Sequence, residues 1–205
     1  MTIKDLHTAM SNLATKRVAF WSEADFQFAL AWELQQLLPE ANIYLERYFS
    51  PLNYYVDVWI EESGNIYPIE LKYKTAKATI VHNGTKYVLK NHSATDFGCY
   101  DYLKDIHRIE NLAMQIPKFK RGYAIMLTND SAYYDNTNRL SAYDNFKIYH
   151  TAIRCGMLTW GQTQKGSTLV SGNRRNFTLN NSYTMKWHPF NNGVDNFKYL
   201  INKVM

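Results

Sequence analysis

Residues 54–74 read YYVDVWIEESGNIYPIELKYK, and this stretch decides the fold. Two runs rich in β-branched and aromatic residues flank the segment ESGN, which is typical of a tight turn. The pattern predicts two antiparallel strands joined as a hairpin. Alternation along the second strand places Glu70 and Lys72 on one face and Leu71 on the other. Asp57, on the first strand, can then lie beside that pair.

Helices and further strands surround this hairpin. Ser22 is a typical N-cap for a helix that stops at Pro39, and apolar residues recur in it every three to four positions. Residues 96–116 show the same periodicity before Pro117. Further strands are expected at 41–49 and 122–130, with a second hairpin at 78–90. This order predicts an α/β fold with helices packed around a central mixed sheet.

The chain is less regular beyond residue 130, where Asn, Ser, Tyr and Gly are frequent. We expect strands near 146–153, 175–181 and 183–190, and a last helix near 197–204. Neither a repeat nor a linker divides the sequence. The prediction is therefore one domain over residues 1–205, with a core at about 20–130 and a basic, aromatic, β-rich extension at about 131–205.

Charge is distributed unevenly along this chain of net charge +5. Residues 1–70 hold ten acids and four bases, whereas residues 71–205 hold eight acids and 19 bases. The stretches 71–95 and 145–194 contain no acid, although they carry several bases and aromatic rings. An ordinary solvated basic surface explains this pattern as well as a polyphosphate partner does. The candidate nucleic-acid-binding bases are Lys74, Lys77, Lys86, Lys90, Arg154, Arg174, Arg175 and Lys186, and the candidate stacking rings are Trp160, Tyr183 and Trp187.

Several classes of protein are excluded by composition and motif. An apolar content of 46% is too high for a disordered chain. Two cysteines and six dispersed histidines provide neither a disulfide framework nor a zinc motif, and no phosphate-binding glycine loop occurs. No run of 18 apolar residues and no signal-peptide layout is present. A cytoplasmic protein without a membrane partner is the expectation.

The residues Asp57, Glu70 and Lys72 form the constellation with the clearest chemistry. Two carboxylates at one sheet edge suit Mg²⁺ or Mn²⁺, which prefer oxygen ligands and retain several waters. A metal held there can polarise a phosphate oxygen, while the lysine orients water or offsets developing charge. The alternative is a cross-strand ion pair of Asp57 with Lys72 on a solvated sheet face.

These motifs resemble the PD-(D/E)xK nucleases, the restriction-endonuclease-like superfamily, and a bacterial branch of it. Asp57 in YYVDVWI and Glu70 and Lys72 in PIELKYK match the motif, although Val56 replaces its proline. The resemblance implies an αβββαβ core over residues 20–130 and Mg²⁺- or Mn²⁺-dependent hydrolysis of phosphodiester bonds in DNA, in restriction, phage defence or repair. It further implies metal ligation by Asp57, Glu70 and the Leu71 carbonyl, with Glu23 as an auxiliary acid.

Several alternatives stay open at this point. Glu33 competes with Glu23 as the helical acid, and Glu23 is favoured because it lies in the first turn. Asp101, Asp105 and Arg108 favour an exposed series of ion pairs on their helix. The chain could instead be a nucleic-acid-binding or assembly module that keeps the nuclease fold, or a protein-interaction domain. RNA is as compatible as DNA with stacking and phosphate contacts, and two-strand cleavage would suit a homodimer.

Overall fold

The computed structural model describes residues 1–137, 140–161 and 174–205. Part of the predicted extension, including Lys165 of the acid-free stretch 145–194, lies outside those ranges. The described chain is a mixed α/β structure built on a six-stranded sheet. No described helix combines the length and apolar character needed to cross a membrane.

The central sheet combines the predicted hairpin with strands from both halves of the chain. Its spatial order is β1-β2-β3-β6-β10-β9, in which β3 and β6 are parallel and the other neighbours are antiparallel. The strands are β1 (Asn42–Phe49), β2 (Tyr54–Glu62), β3 (Asn65–Lys74), β6 (Gly122–Thr128), β9 (Trp187–Pro189) and β10 (Lys198–Val204). The hairpin of β2 and β3 is confirmed, as is the smaller hairpin of β4 (Ala78–His82) and β5 (Thr85–Leu89).

Helices cover both faces of the sheet. α1 (Ile3–Lys16) and α2 (Glu23–Leu37) pack against one face through a core that includes Leu71. α3 (Thr95–Gln115) packs against the opposite face, where Ala124 and Met126 of β6 point. The predicted N-cap is confirmed, because the Ser22 hydroxyl accepts a hydrogen bond from the Asp25 N–H.

The predicted C-terminal helix is wrong, because residues 198–204 form β10 in the central sheet. β10 lies between β6 and β9 and is mostly buried. A short apolar run buried on both faces has no alternation by which to distinguish a strand from a helix. Its strand pairing therefore depends on contacts far along the sequence.

The extension otherwise contains short elements and a second small sheet. The expected strand at 146–153 is wrong: a 3₁₀ helix (Asp144–Phe146) precedes irregular chain there, and β7 covers Ile153–Leu158. β7 pairs with β8 (Phe177–Thr184), which matches the next expectation more closely. The remaining short helices are α4 (Ser131–Tyr134) and 3₁₀ turns at Ser50–Leu52 and Asn191–Asn196.

Candidate functional site

The candidate site lies where β2 separates from β3. Pairing between these strands runs as far as Val58 opposite Ile69. Asp57 is the next residue on β2, and its Oδ2 accepts a hydrogen bond of 2.6 Å from the Leu71 N–H. A carboxylate thus takes the place of a strand carbonyl at the point of divergence.

A second carboxylate satisfies the next outward N–H of β3. The Tyr73 N–H donates to Glu23 Oε2 at 2.7 Å, so Asp57 and Glu23 bind alternate peptides of one strand edge. Glu33 instead forms an ion pair with Lys16. Of the two helical acids, Glu23 is therefore the one that contacts β3.

Glu70 is a buried carboxylate of the site with an oxygen that no hydrogen bond from a described residue stabilises. It points to the α3 side of the sheet and is only 3% exposed. Its Oε1 is buried and has no hydrogen-bond partner among the residues that the structure describes. The large majority of buried side-chain polar atoms have such a partner, and Glu70 Oε1 is one of seven in the described part of the chain that do not, so it calls for a cause.

Lys72 contacts Asp105 of α3, an acid that the sequence predicts on an exposed face of its helix. Its Nζ lies 2.7 Å from Asp105 Oδ2 and donates to the Leu71 carbonyl at 3.0 Å. Asp105 also pairs with Arg108 at 2.9 Å. The expectation of exposed ion pairs on this helix is wrong for Asp105, which is 1% exposed because α3 packs over β3. The solvated cross-strand pair of Asp57 with Lys72 is likewise not what forms.

Burial and crowding of like charges shift the site's acid–base equilibria. Burial, opposed by Lys72, raises the pKa of Asp57 to about 6. Burial and repulsion from Asp105 and Asp57 raise the pKa of Glu70 well above its usual range. The surrounding carboxylates, led by Asp105, outweigh the burial of the lysine and raise the pKa of Lys72. Lys72 is therefore a permanent cation beside two carboxyls that bind protons readily.

Gln27 is a further site residue that sequence reasoning missed. Its Nε2 donates to the Asp57 carbonyl at 2.6 Å and to Glu46 Oε1 at 2.7 Å, which ties α2 to the end of the β2–β3 pairing. Asp105 was also missed as a partner of Lys72. The usable signal was its position next to Ile106 and Ile109 on the apolar stripe of α3.

Adjoining clefts run past the end of β3. One, of about 250 Å³, is lined by Trp21, Glu23 and Lys90 among others. A neighbour of about 270 Å³ shares Lys74 and His92 with it. A third, of about 220 Å³, shares Asp101 with the second, and its other lining residues are Lys72, Lys104, Asp105 and Arg108. The clefts together form a groove with more cationic than anionic side chains.

The structure separates the candidate nucleic-acid-binding bases into three groups. Lys74, Lys90 and Arg174 line the groove, and Arg174 also pairs with Asp101. Arg154 donates hydrogen bonds to three backbone carbonyls, of Lys147, Ile153 and Asp144. The exposed bases away from these clefts are Lys77, Lys86, Arg175 and Lys186.

The aromatic side chains predicted to stack on bases are mostly in the interior. Tyr183 and Trp187 are 4% and 6% exposed, and Trp160 packs against Tyr100 and Phe146. Their expected role is wrong for the two buried rings, because a base must reach the face of a ring to stack on it.

The donor atoms of this site are oxygens, the type of ligand that divalent cations such as Mg²⁺ prefer. Among the described residues, no group of three or more His, Cys, Asp or Glu side chains is arranged to hold a metal ion. Asp57 and Glu70 supply two carboxylates, of which Glu70 has an unpartnered buried oxygen, and the Leu71 carbonyl directly follows Glu70 along β3. Mg²⁺ is commonly bound by one or two carboxylates with several waters, so two carboxylates suffice for it.

Comparison with family models, with curated proteins and with solved structures finds no match to this chain.

Proposed function

We propose that this protein is a divalent-metal-dependent nuclease that hydrolyses phosphodiester bonds in DNA, built on a restriction-endonuclease-like core. The observation that carries the proposal is Glu70, a buried carboxylate with an unpartnered oxygen beside Asp57 and Lys72. Burying a carboxylate without a partner is costly, so such a group is retained where a ligand compensates it.

A structural explanation accounts for part of the site. Asp57 and Glu23 each accept a backbone N–H of β3, which is a sufficient structural role. It does not account for Glu70, which repels both Asp57 and Asp105. A divalent cation held by Asp57, Glu70 and the Leu71 carbonyl would neutralise this excess of negative charge. Mg²⁺ or Mn²⁺, when bound, polarises a phosphate oxygen and lowers the pKa of water.

Lys72 is the group we assign to the reacting phosphate. Its ammonium stays protonated, because carboxylates surround it, and it can offset charge that develops on the phosphate or orient the attacking water. Asp105 is a positioning residue that fixes the lysine through their 2.7 Å contact. Arg108 compensates Asp105 from the same helix.

The groove supports a nucleic-acid substrate. Lys74, Lys90 and Arg174 line it along with Lys72, and cations spaced along a groove suit a chain of phosphates. Contacts to phosphates do not distinguish DNA from RNA, so RNA is the comparison substrate.

The proposal is tested by nicking of supercoiled plasmid DNA with Mg²⁺ or Mn²⁺. Wild-type protein is expected to nick with either metal and to stop when EDTA is added. Asp57→Ala removes a ligand and is expected to reduce the rate at least about 100-fold. Asp135→Ala, at an exposed acid outside the groove, is the matched control and is expected to nick normally.

A nucleic-acid-binding module without catalysis is the second candidate. It is favoured by one observation, namely that Lys72 is already held by Asp105 and the Leu71 carbonyl. Salt-dependent DNA binding without metal-stimulated nicking would establish this candidate and contradict the nuclease.

A further inference from the structure

The cleft between the start of α2 and the end of β5 has a composition unlike that of the metal site. Trp21, Lys74, Lys90 and His92 line it, and Glu23 provides its one carboxylate among the described residues. We propose that this cleft binds one unpaired nucleotide, so that the substrate is single-stranded or locally unpaired nucleic acid. This inference rests on the proposed function, because Glu23 of the cleft contacts β3 at Tyr73, two residues beyond the proposed metal ligand Leu71.

Trp21 provides the surface on which a base can stack. Its side chain is 56% exposed although it stacks on Tyr87 of β5, with ring centroids 4.8 Å apart and planes 22° apart. Its backbone N–H donates to Asp25 Oδ2 at 2.9 Å, which fixes the peptide before α2. A large ring supported on one face and open elsewhere is preorganised to stack on a base.

Lys74 and Lys90 provide the charge that a nucleotide phosphate needs. They come from different elements, the end of β3 and the segment after β5. Within the described part of the chain, neither ammonium forms an ion pair, in contrast to Lys72 and Arg174. Two unpaired cations beside an exposed ring match the phosphate and base of one nucleotide.

His92 adds a polar group of defined tautomer. Its Nδ1 accepts a hydrogen bond of 3.0 Å from the Thr75 N–H, and a nitrogen that accepts is not protonated. With Nδ1 as an acceptor, the N–H of the ring lies on Nε2. That nitrogen is left as a donor for a ligand in the cleft, where phosphate or base oxygens are suitable acceptors.

The position of the cleft specifies the form of the substrate. Lys74 follows Lys72 by two residues on β3, and Glu23 contacts β3 while lining the cleft. The cleft beside Lys72 is joined to this one through the cleft that Lys74, His92 and Asp101 line, so a strand bound at Lys72 can continue toward Trp21. Inside a duplex the faces of a base are covered by its neighbours, so stacking on Trp21 requires a base that has left the helix.

The test is equilibrium binding of fluorescein-labelled oligonucleotides of about 12 nucleotides, in EDTA so that cleavage does not interfere. Four probes are compared: a single-stranded DNA, its blunt duplex, an abasic strand with the same backbone, and the matching RNA. Wild type is expected to bind the single-stranded DNA and RNA more tightly than the duplex. The abasic strand lacks the stacking partner and is expected to bind more weakly.

Trp21→Ala is expected to weaken binding of the base-bearing strand about 5- to 150-fold and to leave the abasic strand unchanged. Trp21→Phe keeps an aromatic ring and is expected to recover much of that loss, which controls for misfolding. Lys74→Ala is expected to weaken both strands, because phosphates are common to them. Trp32→Ala, at a tryptophan 59% exposed outside the cleft, is the matched control and is expected to bind normally.

Two results would overturn the inference. One is equal loss of affinity for base-bearing and abasic strands in Trp21→Ala, and the other is tighter wild-type binding to the duplex. Either result leaves the nuclease proposal intact if plasmid nicking still depends on Asp57 and metal. Conversely, selective loss in Trp21→Ala without any nicking supports the cleft and contradicts the nuclease.

Discussion

Lys72→Ala is expected to reduce metal-dependent nicking of plasmid DNA about 10²- to 10³-fold, the usual loss when one electrostatic contact to a transition state is removed. The ammonium is held among Asp57, Glu23 and Asp105, and these acids keep it charged. Its removal leaves the carboxylates of the metal site in place. The loss should therefore persist in the rate measured at saturating metal.

The fold is expected to survive this substitution, because Asp105 retains Arg108 as a partner. Thermal unfolding of the variant checks this directly. Lys203→Ala, at an exposed lysine of β10, is the matched control and is expected to cut at the wild-type rate. Wild-type activity in folded Lys72→Ala protein would remove Lys72 from the reaction.

Asp57→Asn is expected to move stability and activity in opposite directions. Burial raises the pKa of Asp57 from 3.8 to about 6, so the charged form is disfavoured in the folded state. Asparagine is uncharged and its amide oxygen can still accept the Leu71 N–H. In EDTA at about pH 7.5 the variant should be more stable than wild type by about 1–3 kcal/mol. It should nevertheless lose nicking, because the asparagine side chain is a poorer metal ligand than the carboxylate, and groups that destabilise the fold are often retained for function.

The pH dependence follows from the direction of the same shift. Between pH 3.8 and about 6 the folded protein holds the Asp57 proton that the unfolded chain releases. The free energy of unfolding of metal-free wild type therefore decreases as pH rises through this window. Asp57→Asn lacks this contribution, so its advantage should be complete above about pH 6 and absent below about pH 4.

Urea unfolding at several pH values, in EDTA, measures this difference. At each pH the free energy of unfolding of the variant is compared with that of wild type. In this difference, the contributions of titrating groups that Asp57 does not contact cancel. A variant less stable than wild type at neutral pH would show that the Asp57 charge stabilises the fold. The role of the carboxylate would then be structural, as an acceptor for the Leu71 N–H, and not metal ligation.

The fold could be predicted wherever local chemistry determines structure. Turn residues at Ser63-Gly64 and Asn83-Gly84 specified both hairpins, and Ser22 specified the start of α2. β10 could not be predicted, because its identity as a strand comes from pairing with β6, about 75 residues earlier, in a sheet buried on both faces.

The site was predictable to the extent that strand alternation determines it. Glu70 and Lys72 share the face toward α3, and Asp57 reaches β3 as expected. Asp105 was missed because spacing along α3 does not say which flank of its apolar stripe meets β3. Trp21 was missed for a related reason: only the folded chain brings it against Tyr87, and two of the three rings predicted to stack, Tyr183 and Trp187, are buried.

Calorimetric titration of Mn²⁺ into wild type and Glu70→Gln tests most directly whether these carboxylates form a metal centre. Wild type is expected to bind the ion with release of protons, since the pKa of Asp57 and Glu70 is raised. Glu70→Gln should weaken binding at least about tenfold, whereas Glu40→Gln, at an exposed glutamate, should bind as wild type does. Equal affinity in wild type and Glu70→Gln, or no binding to wild type, would contradict the account.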